Sequence, residues 1–168
     1  MDYSELFSAD THNFMRSPVR DIFKKVDLSK IYSFAGGYPH PSTFPTDRLA
    51  SMVETVRQKY GDKILQYGAT QGTNELQEAL SKRYDVPADN IQITTSSQQG
   101  IDVTARVLVD PGDVVLVADP SYLGAIQSFK SYRADIVGLD LTPSFEASKQ
   151  RRATIQALVD AGKKIKIL

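Results

Sequence analysis

Cysteine is absent from the sequence, which excludes a disulfide framework and any thiolate metal site. Histidine is scarce as well: His12 and His40 are the only two, too few for a histidine-rich zinc site. Neither sign of charge is in excess, with 20 basic and 20 acidic residues, so the bulk charge gives no sign of the basic face that a nucleic-acid binder carries. No apolar run approaches the length needed to span a bilayer. The first residues include Asp2, Glu5 and Asp10 where a secretory signal would place basic residues and then an apolar stretch. These absences predict a soluble, cytoplasmic protein with no metal site and with neither membrane nor nucleic acid among its partners. Familiar phosphate and nucleophile motifs are missing too. There is no Gly-x-x-x-x-Gly-Lys-Ser/Thr, no Gly-x-Gly-x-x-Gly and no Gly-x-Ser-x-Gly.

What is present is ordinary globular sequence. Hydrophobic residues make up 41% and charged residues 24%, enough of each for a packed core and a solvated surface. At 168 residues the chain is long enough for one real core. Residues 1–16 have no clean period and read as an arm. A helix is predicted from Ser17-Pro18, with Ser as N-cap and Pro at the first helical position, carrying Val19, Ile22, Phe23 and Val26 on one side. The paired glycines and two prolines of Ser33-Phe34-Ala35-Gly36-Gly37-Tyr38-Pro39-His40-Pro41 forbid regular structure and predict a shaped loop. A second helix fits Thr46 to Tyr60, with Leu49, Met52, Val53, Val56 and Tyr60 on one face and Gly61 as the stop. A polar loop, Tyr67-Gly68-Ala69-Thr70-Gln71-Gly72, leads to a helix carrying Leu76, Ala79, Leu80 and Tyr84.

Beyond residue 91 strands and helices alternate. Strands are predicted at Ile91–Thr95, Val114–Val117, Ala134–Val137 and from Ile165, with helices from about Ser97 to Val109, Tyr122 to Tyr132 and Ala147 to Ala161. Asp110-Pro111-Gly112-Asp113 is a turn. Alternation of this kind with short, doubly apolar strands predicts an α/β fold with a largely parallel sheet. Lys149-Gln150-Arg151-Arg152 reads as a solvated helix face.

Chemistry is concentrated at strand ends. In Ile91-Gln92-Ile93-Thr94-Thr95-Ser96-Ser97-Gln98-Gln99-Gly100 a strand runs through a short polar loop into a helix N-terminus, where unpaired backbone N–H groups favour an anion. Ser97 and Gln98 suit a phosphate there; Ser97 also suits a plain helix cap. Tyr122, in Ala118-Asp119-Pro120-Ser121-Tyr122 at the carboxyl end of a strand, can stack on a flat ring or simply pack at a helix start. Tyr67 can reach a phosphate through its hydroxyl or belong to the core. Arg20 can pair a substrate carboxylate or remain solvated.

The ordered set Ser17-Pro18-Val19-Arg20, Phe34 to Pro41, Phe44-Pro45, Gln66 to Gly72, Ser97-Gln98-Gln99-Gly100, Asp110 to Asp113 and Pro120-Ser121-Tyr122 resembles class I/II aminotransferases of fold type I, which use pyridoxal 5′-phosphate. It is most similar to the branch of α-aminoadipate and kynurenine aminotransferases, and the likeness extends from about Ser17 to Leu168. The resemblance implies that Ser97 and Gln98 hold the cofactor phosphate, that Tyr122 stacks on its ring, and that Tyr67 reaches the phosphate of a neighbouring subunit's cofactor. It places Gly37 in the loop lining the substrate pocket and Arg20 where it contacts a substrate side chain. It implies residues 1–45 as arm, helix and substrate-side loop, and 46–168 as an incomplete large domain of mostly parallel sheet with flanking helices. Such enzymes continue with an Asn-Pro-x-Gly loop, an Asp for the pyridine nitrogen, a Tyr for the ring hydroxyl, the cofactor-bearing Lys and a carboxylate-binding Arg. None of those segments occurs in these 168 residues, so no catalytic residue is assigned. The expectation is a truncated aminotransferase, inactive alone, self-associating or homodimeric, whose parent moves an amino group from an amino acid to a 2-oxo acid. The alternatives are a non-catalytic phosphate-binding or assembly module, and a plain α/β scaffold without ligand.

Overall fold

The computed structural model describes residues 3–8, 10–11, 21–22, 24–27, 30–34 and 36–167. Ser17 to Arg20 and Phe23, half of the helix expected from Ser17 to Val26, lie outside the described residues. The chain forms two compact units, one of Met1–Ser17 with Thr95–Leu168 and the other of Pro18–Thr94.

In the Pro18–Thr94 unit, α1 spans Thr46–Tyr60 and α2 spans Asn74–Tyr84. Asp47 in the first turn of α1 and Arg57 and Lys59 in the last complement the helix dipole, and Gly61 stops the helix at φ 56°. Thr73 caps α2 by accepting the Leu76 amide at 3.4 Å, and Asp85 ends it in the left-handed conformation at φ 53°. None of the described residues of this unit is buried, and Leu49, Met52, Val53 and Val56 of α1 stand 42–65% exposed. Its apolar stripe is therefore formed without being covered by the described residues of its own unit.

The expected strand at Ile91–Thr95 does not form. The backbone is extended at Ile91, and Ile93 N–H donates to Gln71 O at 2.9 Å, while the Gln77 side chain donates to Ile91 O at 2.8 Å. A β-rich pattern makes an extended segment; a strand also needs a neighbour to pair with, and no described residue supplies one.

The other unit holds the core. In order come α3 (Ser97–Leu108), β1 (Val114–Ala118), α4 (Leu123–Ser131), β2 (Asp135–Leu139), α5 (Phe145–Asp160) and β3 (Ile165–Ile167). The strands form a parallel sheet in the order β2-β1-β3, with Val114 opposite Asp135 and Ala118 opposite Leu139, and with an irregularity between Val114 and Val115 on the β3 side. Side chains of β1 alternate between faces. Val115 packs with Ala105 and Val109, from α3 and the residue after it, and with Phe129 of α4. Val114 and Leu116 pack with Leu139 of β2, flanked by Ile155 and Leu158 of α5. The central strand is thus covered on both sides, and burying each such side chain contributes about 1.5–3 kcal/mol.

Polar groups fix the edges of this unit. Asp113 is buried at the Asp110–Asp113 turn, where its carboxylate accepts the Asp110 amide at 2.8 Å and lies 3.6 Å from Lys166 Nζ. Burial, reinforced by the neighbouring Asp102, pushes the Tyr132 phenol above its ordinary value, and the hydroxyl donates to Asp102 at 3.3 Å. At the end of α4, Arg133 takes φ 59° and grips Asp10 of the arm with two hydrogen bonds of 2.6 and 2.8 Å.

Candidate functional site

The site is built where α3 and α4 begin. Ser96 is the N-cap of α3, extended at φ −167°, and makes no side-chain cap bond. Ser97 is the first helical residue, so it does not cap its own helix. Gln99 does the corresponding work: its Oε1 accepts the Thr95 amide at 2.7 Å and the Thr95 hydroxyl at 3.0 Å. Its reach back past the N-cap follows the capping-box logic, here offset by one residue. Sequence reasoning passed over Gln99, although Ser96-x-x-Gln99 carries the spacing that announces it.

With Gln99 turned back, the amides of Ser97, Gln98 and Gln99 are first-turn donors without intrahelical acceptors. The Ser97 hydroxyl is exposed, and no acidic residue stands in the first turn. Amide dipoles, a hydroxyl and the absence of a nearby carboxylate on the turn together suit a phosphate dianion.

Gln98 is half-buried, and its side chain points elsewhere. Nε2 donates to Gly124 O at 3.0 Å and to the buried Ser128 hydroxyl at 2.8 Å, both on α4. Only its backbone N–H serves the α3 first turn. Tyr122 is the N-cap residue of α4 and stands 60% exposed, its ring lying against Gly124. The Gln98 side chain and the Tyr122 ring therefore meet at Gly124, where α3 adjoins the start of α4, and Ser97 is Gln98's neighbour in the chain. Asp119 and Ser121, just past the carboxyl end of β1, line a cleft of about 410 Å³ that continues under α4 to Ile126 and Lys130 and along β2.

The remaining expected site residues belong to the other unit or lie outside the described residues. Tyr67 is fully exposed, with its backbone N–H donated to the Gln66 side chain at 2.9 Å. It is not part of a core. Gly37 sits in an exposed loop at φ 60°. Arg20 lies outside the described residues. Among the described residues no group of three or more His, Asp or Glu is arranged to hold a metal ion, and no helix is long and apolar enough to cross a membrane.

Residues 35–168 match the family model of aminotransferase class I and II. The chain belongs to the class I and II aminotransferases. It is 36% identical over 174 residues to aromatic-amino-acid aminotransferase 1 of Thermococcus litoralis, a match covering all of this chain and 42% of that one. It is 35% identical over 130 residues to 2-aminoadipate transaminase of Thermus thermophilus, covering 77% of this chain and 33% of the relative. The crystal structure of Pyrococcus horikoshii kynurenine aminotransferase, in complex with PMP, KYN as substrates and KYA as products, superposes with a TM-score of 0.82 at 36% identity. That superposition takes in 98% of this chain and 42% of the other. This aminotransferase chain thus spans about two fifths of the length of such relatives, and its α/β architecture is a partial form of theirs.

Proposed function

We propose that residues 1–168 form the part of a pyridoxal-phosphate aminotransferase that receives the cofactor's phosphate and one face of its ring. The observation that carries this reading is the joining of two helix starts, with Gln98 of α3 bonded to Gly124 and Ser128 of α4. It supports a reading in which the first-turn donors of α3 and the exposed ring of Tyr122 serve one ligand. Ser97 and the first-turn amides would hold the phosphate, and Tyr122 would stack on the pyridine ring. Tyr67 would reach the phosphate of a neighbouring subunit's cofactor, Gly37 would line the substrate pocket, and Arg20 would meet a substrate side chain. In functional terms residues 1–45 serve the substrate side and 46–168 the large domain, a division different from the one by compactness. The setting we infer is a cytoplasmic homodimer.

When bound, pyridoxal 5′-phosphate supplies an electron sink for an amino acid's α-carbon. The chain's own residues bind and orient it; none within these 168 positions matches the lysine that would carry the cofactor and move the proton. The complete protein would transfer an amino group from an amino acid, of the aminoadipate, kynurenine or aromatic class, to a 2-oxo acid. Residues 1–168 alone would not.

Turnover tests this. Residues 1–168 are mixed with pyridoxal phosphate, 2-aminoadipate or kynurenine, and 2-oxoglutarate, and glutamate is measured. The expected rate is that of free cofactor, rising when a polypeptide with the remaining sequence of the Thermococcus litoralis relative is added. Turnover by residues 1–168 alone, removed by Ser97→Ala or Tyr122→Ala, would contradict it.

A further inference from the structure

Gly124 is the second residue of α4, in its first turn. A Cβ placed there would overlap Gln98 Oε1 and stand 2.6 Å from both Cε1 and Cζ of Tyr122. Three groups thus converge on the space a side chain would fill. They are the bare Cα of Gly124, the far edge of the Tyr122 ring and the carboxamide oxygen of Gln98. The Gln98 carboxamide is itself fixed, because Nε2 donates to Gly124 O and to Ser128 Oγ. Ser128 is buried, so this anchor does not compete with water. Tyr122 keeps its other surroundings open and is 60% exposed.

We propose that Gly124 and the Gln98 side chain are positioning residues for Tyr122. They hold its ring down over the start of α4, at a fixed place relative to the first turn of α3. Gln98 therefore has two separate roles: its backbone N–H belongs to the phosphate-binding turn, and its side chain is a brace between the two helices. This rests on the cofactor reading above. The brace makes phosphate and ring recognition one rigid unit, so that little conformational freedom is lost when a pyridoxal-type ring stacks. A bulkier residue at 124 forces the ring up and away, which weakens recognition of the ring and leaves recognition of the phosphate intact.

The test uses pyridoxamine 5′-phosphate, which has no aldehyde to react with surface lysines, and inorganic phosphate, each titrated into residues 1–168. Wild type is expected to bind pyridoxamine phosphate more tightly than phosphate. Gly124→Ala is expected to weaken pyridoxamine phosphate by roughly three- to tenfold, the range an aromatic pair is worth, with phosphate affinity undiminished and with some loss of thermal stability, because the new Cβ also crowds the anchored Gln98 carboxamide. Because Gly124 acts through the ring, Gly124→Ala adds no loss in a Tyr122→Leu background. Without ligand, the Gly124 α-protons show a ring-current shift that Tyr122→Leu abolishes and Gln98→Ala reduces. An unshifted Gly124, or a Gly124→Ala loss that is additive with Tyr122→Leu, overturns the positioning role while leaving the cofactor reading standing. Wild type that does not prefer pyridoxamine phosphate to phosphate overturns the cofactor reading, and the positioning role with it.

Discussion

At the scale of single residues, an ion pair tethers the arm at Asp10. Asp10 meets Arg133 through two hydrogen bonds, and that guanidinium holds the Asp10 carboxyl below the ordinary aspartate range. A carboxyl whose value is depressed on folding contributes fully above its unfolded value of about 3.9 and loses that contribution as pH falls through the lower folded value. The arm's tether is therefore intact at neutral pH and lost only in strong acid. A carbon-detected titration of the Asp10 carboxyl should show a midpoint below that of an unstructured peptide, and Arg133→Ala should return it to the peptide value. A midpoint at or above the peptide value in the wild-type chain would mean that the pair does not persist in solution. The residue scale is also where sequence was least legible. Ser97, Gln98 and Tyr122 could be named from strand-end position and resemblance. The direction of the Gln98 side chain could not, because it depends on α4, 26 residues further on.

At the scale of elements, caps and stops carried the reading well. The helix predicted over Thr46–Tyr60 has those bounds, because Gly61 stops it and Asp47 and Arg57 sit at the favourable ends. The Val114 run, the Asp110–Asp113 turn and α4 are found within about a residue or two, the ordinary uncertainty of helix and strand ends. Ile91–Thr95 differs for a physical reason: strand propensity acts locally, whereas strand pairing requires a partner from elsewhere in the chain. The helix α5 was legible from its apolar residues but begins two residues earlier than expected, at Phe145, because Ser144 caps it by accepting the Ala147 amide at 3.1 Å. Ser144→Ala should cost about 1 kcal/mol in urea-monitored stability, and Ser144→Asp should restore most of it. No loss on Ser144→Ala would show that the cap does not support α5.

At the scale of the whole molecule, the buried core among the described residues lies in the unit containing the parallel sheet. The α1 stripe of Leu49, Met52, Val53 and Val56 is exposed, and β3 is paired only with β1 among the described residues. Exposed apolar stripes and open strand edges promote association. Residues 1–168 should therefore self-associate in light scattering as concentration rises, whereas a monomer over a wide concentration range would be contrary to this. The α/β class and parallel sheet were legible because alternating strands and helices leave few topologies. The layering was not, since it depends on which face of β1 each helix covers. Chemical-shift mapping of amides and aromatic rings with pyridoxamine 5′-phosphate tests the joined starts of α3 and α4 most directly. Saturable shifts are expected, centred on the amides of Ser97 and Gln98 and on the Tyr122 ring, with inorganic phosphate reproducing only the amide part. Shifts that never saturate, or that centre on the basic residues of α5, would contradict this.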